Sequence, residues 1–208
     1  MDSDKMKLND VTADILSEFL EVAVHQILYV RNIYPAGIFE KCCKYNIPVQ
    51  MSQHPDVNRY IKDTICGFKP LLRKDEVQGV TVVIVNSNNK PIERFAFEIS
   101  SLRKKSISGD EYLLAIEQAF RGFILKINMC DAVLDKKPED CSFAVLVYAK
   151  DHAVVGEMEN QQLIQDFPWV EADSHICSLE DSRLIPIKTM ENDLFKMQLN
   201  IEELSVKR

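Results

Sequence analysis

The chain has 208 residues, a length that fits one compact domain with its own core. Hydrophobic residues make up 46% and charged residues 27%, with only 6 Gly and 8 Pro, which excludes disordered, collagen-like and Pro-rich classes. With 25 Lys plus Arg against 32 Asp plus Glu, the net charge is −7, which argues against a nucleic-acid binder that relies on bulk positive charge. Residues 150–208 alone hold 12 acidic and 6 basic side chains, so the acidity belongs to the C-terminal quarter. The charged start MDSDK, and the charges Asp14, Glu18 and Glu21 within the first apolar stretch, match neither a secretory signal nor a membrane span; a soluble, intracellular protein is expected.

Apolar side chains at Ile15, Leu16, Phe19, Leu20, Ala23, Val24, Ile27 and Leu28 predict a long, heavily buried helix over residues 11–31. Asn9, Asp10 and Thr12 are N-cap candidates, and Asn32 with PAG at 35–37 ends it. Residues 38–51 have no clear period and read as a loop or irregular strand. SQHP at 52–55 opens a second helix whose inner stripe is Val57, Tyr60, Ile61, Thr64, Ile65 and Phe68, with Gly67 and Pro70 marking its end. The β-branched run 80–85, the turn 86–91 and the alternating Phe95, Phe97 and Ile99 predict a β-hairpin.

A basic loop with Arg103, Lys104 and Lys105 precedes Ser108 and Glu111, which have capping-box spacing. Leu113, Ile116, Phe120, Phe123, Ile124 and Ile127 predict a third helix, and Lys136 and Lys137 lie in the next loop. Residues 143–148 are apolar on both faces, as in a central strand. Residues 151–183 then read as a long, mostly irregular arm carrying the cluster DFPWV at 166–170. Pro186 restricts residues 184–187 to a sheet edge or extended loop, and Phe195, Met197, Leu199 and Ile201 alternate with polar residues as a half-buried strand does. A structureless connection this long is uncommon in a compact domain and is often functional, so the arm is the first place to look for a site.

Motifs for catalysis are absent from the sequence. The six cysteines form no C-x-x-C pair and read as reduced thiols, and His175 with Cys177 lacks the second pair that zinc needs. No glycine spacing matches a phosphate loop or dinucleotide fingerprint, and no Ser or Cys sits in a nucleophile elbow. The acidic pairs Glu180-Asp181 and Glu202-Glu203 read as solvated surface. The expectation is a non-enzymatic protein with no cofactor and no metal.

The strings EFLEVAVH at 18–25, ILYVR at 27–31, YPAGIF at 34–39, KYNIPVQMS at 44–52, FILKI at 123–127, CDAVLD at 130–135, DFPW at 166–169, RLIP at 183–186, KTM at 188–190 and KMQL at 196–199 carry a resemblance. Together they closely resemble the HORMA-domain family over residues 11–205, and within it the accessory-subunit branch that serves translesion DNA polymerase zeta. The resemblance implies an α+β fold, with three long helices on a mostly antiparallel sheet and a C-terminal seatbelt arm. It divides the chain into a flexible N-terminus at 1–10, a core at 11–149 and a seatbelt region at 150–208 that closes the same domain. The seatbelt is expected to hold an extended partner peptide as an added strand, so that backbone hydrogen bonds give affinity and pockets give specificity.

Residue by residue, the resemblance assigns partner-peptide binding to Tyr60, Phe167, Trp169, Val170 and Glu171, with Glu171 standing where the family pattern is apolar. It assigns a scaffold-polymerase interface to Leu184, Gln198 and Asn200, with Asn200 in place of an aromatic residue, and a self-association face to Lys41, Arg121, Lys126 and Ala132. The implied partners are the catalytic subunit of polymerase zeta, a Y-family scaffold polymerase, shieldin-type repair subunits, a AAA+ remodelling ATPase, and a second HORMA domain as homodimer or heterodimer. Neither direct nucleic-acid contact nor membrane contact is expected, and the expected location is the nucleus with some cytoplasm. The alternative from the same family is a mitotic regulator that binds activators of the anaphase-promoting ubiquitin ligase.

Overall fold

A computed structural model describes residues 2–101, 110–150 and 169–205. The order of elements is α1 (Asp2–Val30), β1 (Phe39–Lys44), β2 (Ile47–Ser52), α2 (Pro55–Lys74), β3 (Val77–Val85), β4 (Pro91–Ser101), α3 (Asp110–Met129), β5 (Ser142–Ala149), the short α4 (Ser174–Cys177), β6 (Ser182–Glu191) and β7 (Phe195–Leu204). Three long helices cover one face of a five-stranded antiparallel sheet of order β5-β3-β4-β7-β6, an α+β architecture as expected. The strands β6 and β7 of the C-terminal region are integral to that sheet, because β7 pairs along its whole length with β4.

The core is where the predicted stripes converge. Phe19 of α1 stacks on Phe120 of α3 at 4.2 Å and meets Phe97 of β4 edge-on at 5.9 Å, so one ring joins three elements. All three rings are buried, and each contributes about 1.5–3 kcal/mol by removal from water. Val80, Val82, Phe95, Met197, Leu199 and Ile201 supply the sheet side of the same core.

Four sequence expectations are corrected. First, α1 begins at Asp2, so the segment 1–10 is helical from its second residue and the cap candidates Asn9, Asp10 and Thr12 lie inside the helix. Contacts to α2 extend it: the Asn9 amide donates to the Arg73 carbonyl, Asp10 pairs with Arg73, and Asp14 pairs with Lys69. Second, residues 38–51 are not irregular. β1 and β2 form a regular hairpin turned by Tyr45 and Asn46, both left-handed at φ 52° and 56°, the conformation that matches strand twist in a two-residue turn. Its first strand has no buried residue and gave the sequence no apolar alternation to read. Backbone donors of β2 are satisfied by α1, since Gln50 N–H donates to Gln26 Oε1 and Ser52 N–H to His25 Nδ1.

Third, α2 continues past Gly67 and Pro70 to Lys74 and is closed by Asp75, whose left-handed φ of 61° lets its N–H return to the last carbonyls. Fourth, β5 is an edge strand, not a central one. The opposite edge, β6, bears Pro186 next to a register shift, as an edge position allows. The basic residues 103–105 and Ser108 lie outside the described residues. All six cysteines are free thiols, and among the described residues no helix is long and apolar enough to cross a membrane.

Candidate functional site

The free side of β5 is the place where the sheet can accept another strand, because among the described residues β5 pairs only with β3. Its helix-side residues Phe143 and Val147 are only partly buried against the core, while Val145 is buried. Two tyrosines flank Phe143: Tyr60 from α2, with ring centroids 5.5 Å apart, and Tyr34 from the turn after α1, at 6.3 Å. Tyr60 is 39% exposed although it lies on the stripe that predicted a buried face, so its ring forms a wall beside the open edge. Burial, with Tyr60 nearby, pushes the Tyr34 phenol above its ordinary range. Beyond the start of β5 a cavity of about 820 Å³ opens between Arg31, Tyr34, Asp131, Lys137 and Cys141.

The arm is fastened on both sides of this edge. Where β5 ends, Lys150 N–H donates to the Glu76 carbonyl and its ammonium donates to the Asp75 carbonyl at 2.6 Å. The chain is described again at Trp169, half-buried on the helix side with its ring 6.5 Å from that of Phe68 on α2. A few residues on, at Cys177, it lies on the other face of the sheet, where Tyr148 of β5 donates to the Cys177 carbonyl at 3.3 Å. The segment 169–177 therefore runs from the helix side of the sheet to its outer face. On that outer face Arg94 donates to Tyr148 and to Glu202 of β7, each at 2.6 Å, so one buried guanidinium spans from β5 toward the C-terminal strands. Burial outweighs the nearby Arg94 and raises the Tyr148 phenol.

Of the expected peptide-binding residues, Tyr60 meets β5 through Phe143, Trp169 packs near Phe68 of α2, Val170 is 86% exposed, Glu171 is exposed, and Phe167 lies outside the described residues. Leu184, Gln198 and Asn200 share the outer sheet face near the β6 edge: Leu184 is exposed, while Asn200 is buried and accepts from Gln198 at 3.0 Å and donates to Glu98 at 3.2 Å. Arg121 and Lys126 are exposed on α3, Ala132 on the following turn and Lys41 on β1. The β1–β2 turn reaches α3 through Asn46, which donates to Glu117 at 2.7 Å.

Sequence reading missed Tyr34, Phe143 and a buried charge cluster. Arg31, at the end of α1, forks onto Glu93 of β4 with Nε donating at 2.9 Å and Nη2 at 2.5 Å, pairs with Asp131, and donates to the Asp135 carbonyl. Burial disfavours its charge, yet the Glu93 hydrogen bond and the charges of Glu93 and Asp131 win and raise its pKa. Glu203, expected on solvated surface, is buried because β7 enters the sheet interior with its odd-numbered side chains toward the helices. The signal for it was the alternation of Phe195 through Ile201, extended by one more step.

The comparisons with known proteins agree with this architecture. The HORMA domain matches residues 12–150. The chain is 53% identical over 198 residues to "Mitotic spindle assembly checkpoint protein MAD2B" of Homo sapiens, covering 95% of this chain and 93% of that one. It is 31% identical over 163 residues to "DNA polymerase zeta subunit 2" of Drosophila melanogaster, covering 78% and 81%. A chain of the solved structure "Crystal Structure of Mitotic Checkpoint Complex" superposes with a TM-score of 0.79 at 24% identity, covering 93% of this chain and 98% of that chain. By profile, by sequence identity over nearly its whole length and by fold, the chain belongs to the HORMA-domain family.

Proposed function

We propose that this protein is a non-catalytic adaptor that traps an extended, proline-containing peptide as an added strand on the free edge of β5, beneath the arm. The observation that carries this reading is the free edge of β5 with Tyr60 exposed beside it, on a sheet whose helix side meets Trp169 and whose outer face meets Cys177. An added strand satisfies its own backbone and that of β5 at once, while the aromatic walls select side chains. Because the arm must open before the peptide leaves, dissociation is slow.

The relative named as a subunit of polymerase zeta supports a peptide from the catalytic subunit of that polymerase as the occupant. The surface of Leu184, Gln198 and Asn200 then serves a Y-family scaffold polymerase, so that the protein bridges two polymerases in synthesis past damaged bases, in the nucleus with some cytoplasmic pool. Shieldin-type subunits use the same peptide cleft in break repair, and Lys41, Arg121, Lys126 and Ala132 form the face for a second HORMA domain. A second reading, favoured by the name of the human relative, is a mitotic regulator that captures activators of the anaphase-promoting ubiquitin ligase in the same cleft. Pull-down from nuclear extract with wild type and Trp169→Ala tests both. Polymerase subunits lost on the variant support the first reading, ubiquitin-ligase activators lost on it support the second, and an unchanged partner set contradicts the cleft assignment.

A further inference from the structure

Glu93 of β4 and Glu203 of β7 are register partners on the helix side of the sheet, and both are buried. Two carboxylates directly opposite one another repel, and burial removes the water that would screen them. Each has its own cation. Glu93 is forked by Arg31, which comes from the end of α1. Glu203 is met by Arg183 of β6, its own register partner, at 2.5 Å, and it accepts the Asp135 backbone N–H. Arg183 also donates to the Val133 carbonyl at 2.9 Å, so it fastens the C-terminal strands to the turn that follows α3.

We propose that Arg183 is a positioning residue for peptide trapping: it carries in the charge that allows Glu203 to dock opposite Glu93, and so sets how long the arm stays closed. The inference rests on the peptide-trapping reading for its function, though not for its physics. Docking of β6 and β7 brings a buried negative charge against a site already holding Glu93, and Arg183 enters from the same hairpin with the charge that offsets it. The groups facing the pair are Arg31 from α1, Cys130 and Asp131 from the turn after α3, Lys137 and Cys141 from the next loop, and Arg183 from β6. Burial pushes the Glu93 carboxyl above its ordinary range, Arg31 opposes this, and Glu203 adds to it. Acidification therefore favours the docked state, because the raised carboxyl takes up a proton there first, and this contribution is lost as pH rises through its raised value. The rest of the hairpin is held by the β4–β7 ladder and by Phe195, Met197, Leu199 and Ile201 in the core, and Lys188 lies over the Phe123 ring at 5.6 Å.

The test uses the full chain as wild type, Arg183→Gln, Glu203→Gln and the double variant, with two readouts at pH 7.5 and 5.5. One is amide exchange in β4 and β7 without peptide; the other is the half-life of a fluorescent peptide from the polymerase zeta catalytic subunit. Arg183→Gln is expected to raise exchange and shorten the half-life by roughly tenfold at pH 7.5, and by less at pH 5.5. Glu203→Gln should stay near wild type, since the amide oxygen still accepts from Asp135, and the double variant should recover to within about threefold of wild type. Arg183→Gln indistinguishable from wild type in exchange, or a double variant no better than Arg183→Gln alone, overturns the proposal. If wild type itself fails to hold the peptide, the trapping reading falls, while the exchange pattern still decides whether Arg183 docks the strands.

Discussion

The ring of Tyr60 on α2 meets the ring of Phe143 on β5 edge to face, with centroids 5.5 Å apart and planes at 83°. This contact fixes the separation between a helix and the edge strand β5. It also explains why Tyr60 is exposed although its neighbours Val57 and Ile61 are buried: its ring leans toward the sheet edge instead of into the core.

Tyr60→Ala should therefore separate binding from stability. Aromatic anchors of this kind dominate interface energetics, so affinity for the partner peptide is expected to fall by at least about 2 kcal/mol. The melting temperature should change little, because the ring is largely outside the core. Titration calorimetry beside thermal unfolding reads both, and a large loss of stability with unchanged affinity would return Tyr60 to the core.

His25 makes stability pH-dependent. Burial lowers its pKa from 6.5 to about 4, and its Nδ1 must stay unprotonated to accept the Ser52 N–H. The unfolded chain takes up this proton first as pH falls, so the contribution is full above about 6.5 and is lost between there and about 4, amounting to about 3 kcal/mol. Urea unfolding at steps from pH 7.5 to 4.5 should show a steeper loss for wild type than for His25→Gln. Parallel curves for the two proteins would show that His25 charges at its ordinary pH in the folded state.

Two glycines should respond differently to the same change. A Cβ on Gly79 would lie 2.9 Å from the backbone oxygen of Phe97, inside the paired β3–β4 ladder, where nothing can yield. Gly79→Ala is expected to cost about 1–3 kcal/mol. On Gly122 the nearest atoms belong to the far end of the Lys188 side chain, at 2.8 Å, which can swing away. Gly122→Ala should leave global stability within about 0.5 kcal/mol. Chemical denaturation of the two variants checks the contrast, and equal losses would contradict it.

These cases mark what the sequence could and could not tell. Helices α1, α2 and α3 were legible because their apolar spacing is long and regular, and β3, β4 and β7 because β-branched or aromatic residues alternate there. The hairpin β1–β2 was not, because β1 has no buried residue and only Ile47 and Val49 of the short β2 are buried in the core, while backbone donors of β2 are met by Gln26 and His25 of α1. The position of β5 was misread for a related reason. Its outer face is partly covered by the arm and its inner face by Tyr60 and Tyr34, so an edge strand acquired the two-sided apolar composition of a central one. Tyr60 and Trp169 came from family resemblance, whereas Tyr34 and Phe143 became visible only when the fold brought their rings together. The charge cluster around Arg31 joins residues far apart in the chain, and nothing local announces it.

On the outer sheet face, Leu184 and Asn200 should also part company. Leu184 is 60% exposed, so Leu184→Ala should leave stability within about 0.5 kcal/mol while weakening capture of the scaffold polymerase. Asn200 is buried with its carboxamide engaged by Gln198 and Glu98, so Asn200→Ala should cost about 1–3 kcal/mol of folding stability. Unfolding curves together with pull-down of the scaffold polymerase's C-terminal domain check both. Unchanged capture by Leu184→Ala would remove that residue from the interface.

The central claim is that a partner peptide becomes a strand on the free side of β5. Hydrogen exchange of the full chain, with and without a peptide from the polymerase zeta catalytic subunit, reads this directly at residues 142–149. The account predicts new protection at alternate amides of β5, those pointing away from β3, with the β6 edge unchanged. Protection confined to β6, or tight binding with no protection in β5, would contradict it.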